Sequence, residues 1–198
     1  MKSDTNERLL DATLRLISEK GYLGTSTKEI AMEAGVTEVT LFRHFGSKER
    51  LFEEVINRYS FLPTLKDLLS EIEGASHNYE KTLNIIGAGF LKTLKERKSL
   101  VRIMNSEINI YPEKVRDVHS KFIDETIQVL ARYFKSRQGK GELRRFSAET
   151  AAKSFLGMIF SYFNVEEIVM GHHITKKEME RTIKEFVDIF VNGTLKGE

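Results

Sequence analysis

The chain has 198 residues, a formal net charge of +2 and no cysteine. That length can bury a substantial core without a metal or disulfide staple, and the missing thiols exclude disulfides, thiolate catalysis and cysteine-held zinc. No apolar run approaches the roughly 18 residues of a membrane span, and the polar start MKSDTNERLL has no secretory apolar core, so a cytoplasmic location away from membranes is expected.

Apolar residues recur at a helical period throughout and alternation is absent, which predicts an all-α fold of about nine helices. The first helix spans about 4–20: Leu10, Leu14 and Ile17 share a stripe, Asp4 with Glu7 resembles a capping box, and Gly21 stops it. Two short helices follow at about 27–34 and 37–45, separated by Gly35 and Val36. Ser47 caps a fourth that runs to about Tyr59 and breaks or bends near Pro63. Further helices are expected at about 65–73, 77–97, 99–110, 112–137, 147–171 and 176–195. Pro112 suits a first helical turn, Thr175 with Glu178 a capping box, and residues 139–145 a polar loop. A domain boundary falls near 46–48, giving units 1–47 and 48–198.

Asp and Glu slightly outnumber Lys and Arg within the first 60 residues. Any nucleic-acid reading must therefore rest on where the cations sit. The informative stretch is 27–52, TKEIAMEAGVTEVTLFRHFGSKERLF. Ile30, Ala31 and Ala34 form one face of a short helix, and Leu41 and Phe45 the matching face of the next. Small Ala31 allows a close crossing, Gly35 takes the left-handed turn at little cost, and Val36 plugs the corner. Two short helices around a glycine turn are the frame of a helix-turn-helix. On the outer side, Thr37 can cap the helix and approach a phosphate. Val39 and Thr40 are short enough for close approach to base edges, and Arg43 can pair bidentately with guanine. His44 follows, and Lys48 joins a cation to the free amides of a helix start, a phosphate clamp. A plain helical corner would explain Val36, Leu41 and Phe45 as core but would leave Arg43, His44 and Lys48 unexplained.

These residues resemble the DNA-binding domain of the TetR family. Thr27, Ile30, Ala31, Ala34, Gly35, Val36, Thr37, Thr40, Leu41, His44, Phe45, Ser47, Lys48, Glu49 and Leu51 match its pattern, as do the preceding Gly21, Tyr22, Thr25 and Ser26. The resemblance implies DNA contacts from Thr27, Lys28, Thr37, Val39, Thr40, Phe42, Arg43, His44 and Lys48. Phe42 stands where the family usually has tyrosine, so it lacks a hydroxyl the resemblance would aim at a phosphate. The implied partner is a palindromic double-stranded operator, and the implied function repression relieved by a small ligand.

The likeness fades after about residue 52. By analogy, Phe90, Met104, Phe122 and Phe155 line an inducer cavity suited to an apolar or amphipathic ligand; the same residues read equally as plain core. Gly87 and Gly89, inside a helix, mark either close packing or room for something else. Segments 147–171 and 176–195 are apolar on more than one side, which predicts a symmetric homodimer through them. His172 with His173 offers a pair of metal donors without a third, and isolated His77 and His119 offer less, so no metal or other cofactor is expected. No glycine-rich phosphate loop, nucleophile elbow or HExxH motif is present, so no enzyme is expected. The competing function is a ligand-independent or architectural DNA-binding protein.

Overall fold

The computed structural model describes residues 4–74 and 78–195, with no side-chain detail at 72–74. His77 lies outside the described residues. These fold into helices α1 (Thr5–Lys20), α2 (Thr27–Glu33), α3 (Glu38–Phe45), α4 (Lys48–Tyr59), α5 (Phe61–Gly74), α6 (Tyr79–Glu96), α7 (Lys98–Glu107), α8 (Glu113–Gly139), α9 (Ala148–Phe163) and α10 (Lys176–Thr194). No strand occurs among them; one isolated bridge joins Leu143 to Leu195. The fold is all-α, as the periodicity predicts.

The differences from expectation sit at helix ends. Asp4 occupies the first cap without a side-chain cap bond, and Glu7 instead accepts from Arg58 Nη2 at 3.1 Å. The break after α4 comes at Ser60, and Pro63 lies in the first turn of α5, where its fixed φ and missing N–H cost nothing. Pro112 precedes α8 and its carbonyl accepts from Arg116 at 3.1 Å, so it caps the helix from outside. α7 ends in a 3₁₀ turn, Ile108–Ile110. The helix expected over 147–171 keeps α geometry only to Phe163 and then widens into a π turn, Asn164–Val169.

The chain forms two compact units, 1–60 with 97–122 and 61–96 with 123–198. In the first unit, Leu9, Leu16, Ile30, Ala31, Leu41, Leu51 and Val55 share one buried cluster. Ile17, Tyr22, Phe52, Ile56, Leu100, Met104, Tyr111 and Val115 share a second. Helix α4 contributes buried residues to both, and is further tied to α1 by the Tyr59 hydroxyl donating to Asp11. Apolar surface removed from water, worth about 25 cal/mol per Å², is what holds these helices together.

In the second unit α6 packs against α5, α9 and α10. A Cβ built on Gly87 would lie 3.1 Å from Ile183, 3.3 Å from Ile159 and 3.4 Å from Phe155. The glycine therefore serves close helix packing, not open room. Phe134 gathers Tyr79, Phe146 and Phe190 around it at centroid distances of 5.7–6.3 Å. The connector after the π turn is pinned by buried Glu167, which accepts from the Ile174 amide at 3.0 Å and pairs with Lys95 at 3.4 Å. Lys95 also donates to the Ile174 carbonyl.

Candidate nucleic-acid interface

The turn between α2 and α3 is built from backbone hydrogen bonds. The Val36 amide donates to the Ala31 carbonyl at 2.9 Å and the Gly35 amide to Met32 at 3.1 Å, while Gly35 takes φ +66°. This is the paired closure of a Schellman end, for which glycine is suited. Val36 packs against the cluster holding Ile30 and Ala31, as the corner plug should. Arg8, on α1, supplies a piece that the local pattern of 27–52 does not contain. Its Nη1 donates to the Ala34 carbonyl at 2.8 Å, satisfying an acceptor at the end of α2.

The starts of α2, α3 and α4 are all capped. Ser26 and Glu29 form a capping box on α2. Glu29 also accepts from Lys20 at 2.8 Å, and that bond, with those from Ser26, lowers its pKa from 4.5 to about 2. Thr37 accepts from the Thr40 amide at 3.2 Å, and the two threonine hydroxyls lie 3.0 Å apart. Ser47 caps α4 through the Arg50 amide.

Helix α3 buries Leu41 completely and turns its other side outward, with Val39 77% and Phe42 43% exposed. Arg43, His44, Lys28 and Thr37 are exposed, and Thr27 and Thr40 half-buried. The exposed side of α3 thus carries a cation, an imidazole, an aromatic ring and a short aliphatic. Two expected residues have other attachments. The Thr27 hydroxyl donates to Glu38 at 2.5 Å. The Lys48 ammonium donates to the Tyr22 carbonyl and sits 4.1 Å above the Tyr22 ring; burial pushes its pKa down. Tyr22 is itself held by Phe52 and Tyr111 at 5.2 and 5.8 Å, and burial and then the Glu49 charge push its hydroxyl pKa up.

The four residues assigned to a cavity divide between the units. Met104 belongs to the second cluster of the first unit, and partly buried Phe122 packs against it. Phe155 is fully buried in the second unit, 5.2 Å from Phe190, and half-buried Phe90 lies 5.0 Å from Phe61. His172 pairs with Glu166 at 2.9 Å and His173 approaches Glu167 at 3.8 Å. Among the described residues no group of three or more His, Cys, Asp or Glu is placed to hold a metal, and no helix is long and apolar enough to cross a membrane.

Residues 9–55 match the model of bacterial regulatory proteins of the tetR family. Residues 81–193, over half the chain, match that of the AefR-like transcriptional repressor C-terminal domain. The HTH-type transcriptional regulator YvkB of Bacillus subtilis (strain 168) is 31% identical, covering 96% of both chains. The HTH-type transcriptional repressor BepR of Brucella suis is 28% identical over 82% of this chain and 80% of its own. Among solved structures, FadR of Bacillus subtilis in complex with stearoyl-CoA shares the fold, with a TM-score of 0.77 at 16% identity over 94% of this chain and 98% of that one. With a helix-turn-helix in its first unit and both family models matched, the chain belongs to the TetR family of transcriptional regulators.

Proposed function

We propose that this regulator is a cytoplasmic, non-catalytic repressor. It places α3 in the major groove of a palindromic operator and leaves when an apolar or amphipathic small molecule binds its C-terminal region. The observation that carries the first part is the outward face of α3, where Val39 and Arg43 stand one helical turn apart beside Phe42 and His44. Arg43 is a base-reading residue in this scheme, and Lys28, Thr37 and Thr40 lie within the same surface. Lys48 serves it from behind, fixing the start of α4 against the Tyr22 corner.

Residues 1–47 hold the reading surface, and 48–198 supply sensing and pairing. A symmetric homodimer through α9, its π turn and α10 is supported by the apolar groups left uncovered there. Val169, Met170 and Ile189 are each at least 60% exposed, and Gly157 and Gly193 have nothing within 4 Å of an added Cβ. Two-fold pairing would present two copies of α3 to half-sites about 34 Å apart. For the ligand, the proposed contacts are Phe90 and Phe155 in the second unit and Met104 and Phe122 in the first. The stearoyl-CoA held by FadR supports an amphipathic acyl ligand as the first class to try.

The test is selection of duplexes from a random pool, followed by titration with acyl ligands. A palindromic consensus is expected, bound less tightly once ligand is present. Arg43→Ala should lose about 1–3 kcal/mol on the consensus and level one base position. A ligand that binds the protein yet leaves operator affinity unchanged would sink the induction half, and support the ligand-independent alternative.

A further inference from the structure

We propose that Glu38, oriented by Thr27, makes the regulator select cytosine at one position of each half-site. This inference rests on the DNA-reading function proposed above. Glu38 is the first residue of α3, and reading helices bring their N-terminal residues to base edges. The residue is half-buried and its carboxylate is held by the Thr27 hydroxyl at 2.5 Å. A hydroxyl has one proton to donate, so Thr27 commits its donor to Glu38 and has none left for a phosphate. In return one carboxylate oxygen is fixed, and the other keeps free acceptor capacity. Fixing a rotamer before contact removes part of the entropy cost of making it.

The chemistry of the groove then decides what a fixed acceptor prefers. Guanine and thymine present acceptors in the major groove and repel a carboxylate. Adenine offers its N6 amine beside the N7 acceptor. Cytosine alone offers the N4 amine without an adjacent acceptor of its own, the pairing expected for a glutamate.

The experiment compares the parent with Glu38→Ala, Glu38→Gln, Thr27→Val and Thr27→Ser on every single-base variant of the selected duplex, with a circular dichroism melt confirming that each folds. The parent should demand cytosine at one position per half-site by about tenfold or more. Glu38→Ala should level that position alone, and Glu38→Gln should move the preference to adenine, which glutamine reads bidentately. Thr27→Val should blunt the cytosine preference, and Thr27→Ser should keep it. If Glu38→Ala changes all duplexes by one common factor with the base ranking intact, the carboxylate acts through charge alone and the inference is overturned. If Thr27→Val ranks bases as the parent does, the orienting role of Thr27 is overturned. A parent that ranks no sequence at all would instead refute the DNA-reading function itself.

Discussion

The Lys48 ammonium has a carbonyl and an aromatic face already in contact, and leaving them would cost a charge-assisted hydrogen bond of about 1.5–3 kcal/mol, less here because the site is half-exposed. A sequence pattern places this lysine at a helix start, where a phosphate contact is the natural reading; the tertiary contact with Tyr22, 26 residues earlier, gives the cation a competing partner. Lys48→Met keeps the stem and deletes the charge. It should lower the thermal midpoint while leaving the salt slope of DNA binding unchanged, measured by melting and by affinity from low to high salt. A slope reduced by about one would restore the phosphate role. Gly35, by contrast, is legible from sequence, because a residue at φ +66° in a two-residue turn is a local demand. Gly35→Ala should cost about 1–2 kcal/mol of stability in denaturant melts.

Helices show the same division between local and distant causes. Ser47 at α4 and Thr175 with Glu178 at α10 cap as their spacing predicts, since a cap is settled within four residues. Asp4 and Glu7 have the same spacing and do not; Glu7 instead accepts from Arg58 of α4. The two interior glycine environments separate by experiment. Gly87→Ala pushes a methyl at Ile183, Ile159 and Phe155, all buried; the overpacking cost of about 1–3 kcal/mol exceeds the roughly 1 kcal/mol of helix propensity gained. Gly157→Ala meets nothing. It should raise the stability of the monomer by about 0.5–1 kcal/mol yet weaken self-association, as sedimentation over a concentration series would show. Equal dimerisation in parent and variant would move the interface away from α9.

At the scale of the whole molecule, α7 and the beginning of α8 belong to the same compact unit as the helix-turn-helix. A boundary at residue 47 marks the turn before α4, whereas compactness follows where buried side chains meet. Leu100, Met104 and Val115 join Ile17 and Phe52 in one cluster, and no periodicity within either segment announces which helix will cover which. The sequence by itself determined that the chain is all-helical, that 27–48 forms two short helices around a glycine turn, and that Arg43 and His44 face outward. Those features depend on period, caps and a single backbone conformation, all fixed within a few residues. Only the tertiary structure decided that Arg8 closes α2, that Gly87 is a packing contact, that Thr27 holds Glu38 and that Lys48 holds Tyr22. Each is a contact between groups separated by 11 to 96 residues, and the pairing of such groups is set by how whole helices bury their apolar faces.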